Sequence, residues 1–276
     1  MITRFAPSPT GHLHLGHLLN ALYVWRLARD AGGQVRLRIE DHDRERSRPE
    51  FERSILDDLE WLGLVPDLPP IAAFRAGSCE GRQSDHPQRY EEALARLDHD
   101  GRVYGCVCSR VEILDRTGAE AEELRYDGFC RDRGLQPGPG VGARVRLDPG
   151  VERFVDGMLG PQHQEPLAQC GDLLVRDRVG NWTYQFAVTV DDWVEGITDV
   201  IRGRDLLAST GRQIRLARLL GRPAPARFLH HRLLFGPDGT KLSKSRGDTG
   251  VRELRAAGVA PSAVLAQARE LAGLRT

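Results

Sequence analysis

A chain of 276 residues, 40% hydrophobic and 28% charged, holds enough apolar material for one large domain or for one with a sizeable insertion. No stretch approaches the ~18 apolar residues of a membrane span, and the opening Met1-Ile2-Thr3-Arg4-Phe5-Ala6 lacks the apolar core of a signal peptide, so a cytoplasmic location is expected. The formal net charge is zero, yet residues 201–276 carry 15 Lys/Arg against 5 Asp/Glu, which suits a polyanionic partner such as ATP or RNA, or else a solvated arginine-rich face.

The pattern opens as strand, loop, helix. Ile2 to Phe5 is a short apolar run, and Pro7, Pro9 and Gly11 then exclude regular structure. Leu18, Leu19, Leu22 and Trp25 recur at helical spacing until Gly32-Gly33 ends the run. Val35 to Ile39 alternates like a strand and runs into Glu40-Asp41-His42-Asp43. Pro49 marks a first helical turn, with Phe51, Ile55, Leu59 and Leu62 on one face. This β-α-β-α order predicts a parallel sheet with crossover helices. Residues 66–86 read as a loop, residues 87–99 as a helix, and the Gly/Pro-rich residues 134–142 as a connector. Short strands are expected near Val145 and Phe154. Residues 173–176 and 182–190 suggest a hairpin around Val179-Gly180-Asn181. A strand over residues 199–203, a helix over residues 210–220, a loop over residues 233–244 and a helical tail complete the reading.

Two motifs carry chemistry. His14-Leu15-Gly16-His17 stands where the first helix should start, and a helix N-terminus attracts phosphate. Gly16 leaves room for a ring or phosphate to approach the backbone. Lys241-Leu242-Ser243-Lys244-Ser245 follows Pro237-Asp238-Gly239 in a loop that could close on a triphosphate. Taken singly, each also reads as an ordinary polar loop. In order, with an α/β body between them, they resemble the HIGH and KMSKS signatures of class I aminoacyl-tRNA synthetases. Arg4-Phe5-Ala6-Pro7-Ser8-Pro9-Thr10-Gly11, Arg38-Ile39-Glu40-Asp41, Tyr184-Gln185-Phe186-Ala187, Val190-Asp191-Asp192 and Val200-Ile201-Arg202-Gly203 resemble the glutamyl branch.

That resemblance implies a Rossmann-like α/β catalytic domain that condenses L-glutamate with ATP and Mg2+. It places Arg4, Phe5, Ala6, Pro7 and Ser8 at the amino acid, with Arg4 on the side-chain carboxylate. Glu40 would meet the ammonium, and Tyr184 and Arg202 would complete the pocket. His14, Gly16 and His17 would contact ATP, and Lys241 and Lys244 would stabilise departing pyrophosphate. From the residues themselves, Glu40 and Arg202 each follow an apolar strand-like run, and such strand ends line the ligand crevice of open α/β sheets. No general base stands out.

Five cysteines, an odd number, argue against a disulfide framework. Cys79 and Cys170 stand apart, whereas Cys106, Cys108 and Cys130 lie close together. Three thiols suggest structural Zn2+, the alternative being buried free cysteines, and the residues alone leave the fourth ligand open. The CxC, Tyr, Cys order resembles the glutamyl-queuosine tRNA(Asp) synthetases, short paralogues of glutamyl-tRNA synthetase, and implies Tyr126 as that ligand; Asp127, Asp132 or water are the substitutes.

The expected organisation is a first catalytic half over residues 1–100, a zinc-bearing insertion over 101–160, a second half over 161–235, and the KLSKS loop with a helical tail over 236–276. The stretch after KLSKS is too short for a helical anticodon-binding domain. The resemblance then implies transfer of glutamate to queuosine in the anticodon stem-loop of tRNA(Asp), with no membrane partner. The alternatives are a truncated enzyme charging tRNA(Glu), an inactive zinc-stabilised RNA-binding module, and a small-molecule ligase using the same adenylate chemistry.

Overall fold

Strand β1 (Ile2–Phe5) is buried from Thr3 onward and gives way to the Pro7–Pro9 loop. The computed structural model describes residues 1–118, 124–233 and 250–272. Helix α1 (Leu15–Asp30) buries Leu18, Leu19, Leu22 and Trp25 and crosses over to β2 (Gln34–Leu37). The two strands pair in parallel, Ile2 beside Gln34 through Phe5 beside Leu37, which requires such a crossover. Helix α2 (Pro49–Trp61) has proline at its first position and Glu50 and Glu52 in its first turn, where the helix dipole favours acids. Its Ile55 and Leu59 close the core over α1, Val35 and Leu37.

Within residues 66–86, read as a loop, lie α3 (Ile71–Ala76) and a 3-10 turn (Gln83–Asp85); Ile71 and Phe74 bury their side chains there. Helix α4 (Pro87–His99) follows as expected and leads to β3 (Val103–Cys106). Helix α5 (Arg110–Thr117) begins with a reciprocal Ser109–Glu112 cap and stops at Gly118, whose φ of 60° suits glycine. Then come β4 (Gly142–Val145), the antiparallel pair β5 (Glu152–Asp156) and β6 (Gly160–Gln164), α6 (Pro166–Cys170) and β7 (Leu173–Arg176). Strands β3, β4 and β7 form an antiparallel sheet.

The predicted hairpin after β7 survives only as its turn and an isolated bridge between Arg176 and Trp182. Its second arm is instead helix α7 (Tyr184–Val194). Val188, Thr189 and Val190 are β-branched and read as a strand, but Phe186, Ala187 and Val190 share a helical stripe that packs against Tyr90 and Leu216. Tertiary packing overrides the local preference.

Strand β8 (Asp199–Gly203), helix α8 (Thr210–Leu219) and β9 (Arg227–His231) follow, then α9 (Val251–Ala256) and α10 (Pro261–Ala272), whose Val264 and Ala268 pack into the first core. The third sheet runs β6-β5-β9-β8, with β8–β9 and β5–β9 parallel. β1 lies beside β8: Thr198 N–H donates to the Ile2 carbonyl at 2.9 Å, and Ile2 N–H donates to Thr198 Oγ1 at 2.8 Å. The two parallel sets meet at this seam, giving the Rossmann-like α/β body. β9 had no alternating signal because Arg227-Phe228-Leu229-His230-His231 buries two imidazoles. Among the described residues no helix is long and apolar enough to cross a membrane.

Candidate active site

The chain leaves β1, β2, β8 and β9 beside one cavity of about 550 Å³. Arg4, Ser8, Glu40, Tyr184 and Arg202 line it, and His14, Gly16 and His17 border it from the start of α1. A crevice at strand ends where two parallel sets meet is where open α/β sheets bind ligands. Ala6 and Pro7 also reach the cavity, while the Phe5 side chain turns into the core, its ring centroid 5.5 Å from that of Trp25.

Arg4 is held by Asp192 on α7, Nε to Oδ1 at 2.9 Å. The same Asp192 oxygen accepts from Arg38 Nη2 at 2.6 Å. Burial alone would raise the Asp192 carboxyl, but Arg4 and Arg38 outweigh it and hold its pKa at about 2. Arg38 continues to Glu195 at 2.9 Å and to Glu40 at 3.4 Å. Burial pushes the Glu40 pKa upward, with Arg38 and Arg4 opposing. A buried carboxylate of this kind gains from an ammonium brought beside it.

Arg202 is held differently. Its Nε donates to His230 Nε2 at 3.0 Å, Nη1 to Gln213 Oε1 at 2.7 Å, and Nη2 to Thr210 Oγ1 at 2.8 Å and the Leu206 carbonyl at 3.3 Å. Burial lowers its pKa, with Arg4 adding to the drop and Tyr184 and Asp192 opposing it. Two guanidiniums facing one cavity can clamp a carboxylate, which their donor forks match.

His14 caps α1. Its Nδ1 accepts Gly16 N–H at 3.0 Å, and His17 Nδ1 accepts His14 N–H at 3.1 Å. Both Nδ1 atoms are therefore unprotonated, which leaves Nε2–H as the donor of each neutral ring. The rings lie 3.9 Å apart between centroids, so two such donors stand together at a helix N-terminus, an arrangement suited to phosphate. The space at Gly16 is used by the protein itself: a Cβ there would lie 2.8 Å from His14 Cε1. Lys241 and Lys244 lie outside the described residues.

The cysteine group stands apart from the cavity. Sulfur atoms of Cys106, Cys108 and Cys130 all lie within 4.8 Å of one another, a set that could hold a metal ion. The Tyr126 hydroxyl is 3.6 Å from Cys106 Sγ and accepts Cys130 N–H at 2.8 Å, so its oxygen joins the cluster. Arg144 and Arg116 donate to the Cys106 and Cys108 sulfurs at 3.2 and 3.3 Å, and burial pushes the Cys108 thiol up to about 11 with Arg116 opposing. Cys79 and Cys170 are buried elsewhere, in two different cores.

Residues 1–274 match the family described as class I tRNA synthetases (E and Q), catalytic domain. The chain belongs to this family. The synthetase is 43% identical over 98% of its length to a protein of Symbiobacterium thermophilum named glutamyl-Q tRNA(Asp) synthetase, covering 86% of that protein. It is 40% identical to the glutamate–tRNA ligase of Legionella pneumophila over 95% of its own length and 54% of the ligase. The glutamate-tRNA synthetase structure from Elizabethkingia anophelis superposes with a TM-score of 0.74 at 31% identity, over 90% of this chain and 53% of that one. The synthetase thus spans about half the length of the glutamate–tRNA ligases it matches.

Sequence reasoning missed the supports of the synthetase's cavity. Arg38 and Asp192 lie within Arg38-Ile39-Glu40-Asp41 and Val190-Asp191-Asp192, and Asp156 and His230 lie in no motif. Arg38 is 1% exposed, although it holds a polar position of the alternating run from Val35 to Ile39. The usable signal was charge: two arginines near a strand end need acids from elsewhere if both are buried.

Proposed function

We propose that the synthetase activates L-glutamate with ATP and transfers it to queuosine in the anticodon of tRNA(Asp). The observation that carries the amino-acid half is the pairing of two cavity-facing guanidiniums, Arg4 and Arg202, with buried Glu40 beside the Nε2–H donors of His14 and His17. The guanidiniums would take the side-chain carboxylate, with Arg4 and Tyr184 as the implied contacts, and Glu40 the ammonium. The backbone from Phe5 to Ser8 would border the amino acid, and His14, Gly16 and His17 the ATP. The name of the 43% identical relative supports the acceptor.

In the first step the glutamate α-carboxylate attacks the α-phosphorus of ATP and pyrophosphate leaves. Mg2+ enters with ATP as part of the substrate. Lys241 and Lys244 would neutralise the leaving charge. In the second step a hydroxyl of queuosine's cyclopentenediol attacks the acyl carbon and AMP leaves. Positioning and charge stabilisation dominate both. The setting is cytoplasmic.

Cys106, Cys108, Cys130 and Tyr126 would hold Zn2+, for which three thiolates and a phenolic oxygen are a suitable donor set. Its role there is structural, tying the β3–α5 segment to residues 126–130. Stripping the metal with a chelator should release one zinc per chain, measured with a colorimetric indicator, and lower the melting temperature. Cys130→Ser should purify without that zinc. Metal-free wild-type protein of unchanged stability would remove the ion from the account.

Activation itself is tested by glutamate-dependent exchange of labelled pyrophosphate into ATP. Wild type should exchange with glutamate and far less with glutamine or aspartate. His17→Ala should lose about 10²-fold in rate, the scale of one preorganised donor. Exchange driven equally by any amino acid would remove glutamate from the reading.

A further inference from the structure

The two cavity guanidiniums differ in electrostatic setting. Arg4 has a carboxylate partner in Asp192, whereas among the described residues no carboxylate lies within 4.0 Å of an Arg202 nitrogen. Every acceptor on Arg202 is neutral or held neutral. The most telling is His230 on β9. Arginine has no acceptor, so its Nε–H requires a lone pair on His230 Nε2. The ring's single proton is therefore on Nδ1, and it is donated to Asp156 Oδ2 at 2.6 Å. Asp156 Oδ1 in turn accepts the N–H groups of Met158 and Leu159, each at 3.0 Å, in the β5–β6 turn. Asp156, His230 and Arg202 thus form one buried chain across β5, β9 and β8, ending at the cavity. Burial and the neighbouring Arg202 keep the His230 ring neutral down to a pKa of about 4.

A buried guanidinium is ordinarily met by an acid, which would also cancel its charge. Here the acid is displaced by one imidazole. A histidine that merely fills core space needs neither a fixed tautomer nor an arginine at the cavity wall.

We propose that Asp156 and His230 are positioning residues that fix Arg202 with neutral acceptors alone, so that the side-chain carboxylate of the bound amino acid becomes its counter-ion and an acid is selected over its amide. The α-carboxylate must point to ATP at the His14–His17 end, which leaves the side-chain carboxylate for the two guanidiniums. This inference rests on the glutamate reading above. It adds how the charge is kept available.

The test compares glutamate and ATP dependence of pyrophosphate exchange, inhibition by glutamine, and thermal unfolding for wild type and three variants. In Asp156→Asn, Oδ1 stays with the Met158 and Leu159 N–H groups, so the amide nitrogen faces His230 Nδ1. That puts the ring proton on Nε2, against Arg202, as a carboxylate-to-amide change does in other His–Asp pairs. Its KM for glutamate should rise roughly tenfold to a hundredfold with kcat within about threefold and the KM for ATP unchanged. His230→Leu should do the same. His230→Gln offers a carbonyl oxygen to Arg202 and should recover most of the affinity. Discrimination against glutamine should narrow in the first two variants only. Should His230→Leu fail to fold, Asp156→Asn against His230→Gln still decides. An unchanged glutamate KM in Asp156→Asn, or equal losses for glutamate and ATP, would reduce the chain to a structural feature. Absence of glutamate-dependent exchange in wild type would instead bring down the functional reading, and this inference with it.

Discussion

Arg202→Leu should raise the KM for glutamate by roughly 10²–10⁴-fold, the loss of about two charge-assisted hydrogen bonds at ~1.5–3 kcal/mol each. The same change should leave the unliganded protein about as stable as wild type, or more so. Arg202 is 3% exposed and hydrogen-bonds to no carboxylate among the described residues, so its burial is offset by neutral acceptors and by the more distant Asp192 alone. Leucine strands the Thr210, Gln213 and His230 acceptors, but it also removes a buried cation that has no carboxylate in contact. Saturating glutamate should raise the melting temperature of wild type and not of the variant. Arg202→Lys should not restore binding, because a single ammonium cannot reproduce the fork. A variant that keeps its glutamate response would take Arg202 out of the pocket.

Arg38→Met should have the opposite character, a large stability loss. Arg38 touches the buried Glu40 and Asp192 and the partly buried Glu195. Methionine fills similar space but leaves three carboxylates without their shared cation, which costs about 3–5 kcal/mol, or some 10 °C in melting temperature for a domain of this size. Removing the cation raises the folded-state pKa values of the acids. An acid with a raised folded pKa contributes stability at low pH and loses it as pH rises, so the deficit should be smaller at pH 5 than at pH 8. Wild type shows the same sign at one position. Burial lifts Glu195 from the ordinary 4.5 to about 7 despite Arg38, so its contribution should decline as pH rises through that window. Urea midpoints of wild type and Glu195→Gln from pH 5 to 7.5 check this: the variant should lack that part of the slope.

What could be read in advance was local. HLGH at a helix start, Glu40 past β2 and Arg202 on β8 each announce themselves by a neighbouring apolar run, and the structure brings them to one cavity. Their supports come from far along the chain: Asp192 is 188 residues from Arg4, and Asp156 is 74 from His230. No periodicity links such pairs, because only the sheet order places β5 beside β9 and α7 behind β1. The misread α7 has the same origin. Its β-branched residues favour a strand locally, and the core formed with α4 and α8 decides otherwise. The cysteine cluster was legible since Cys106, Cys108 and Cys130 fall within 25 residues and need only a short loop to meet.

The most direct measurement is transfer of labelled glutamate, with ATP, to tRNA(Asp) with and without queuosine and to tRNA(Glu) in parallel. Labelling of queuosine-bearing tRNA(Asp) alone is the predicted result. Labelling of tRNA(Glu), or of tRNA(Asp) regardless of queuosine, would contradict it.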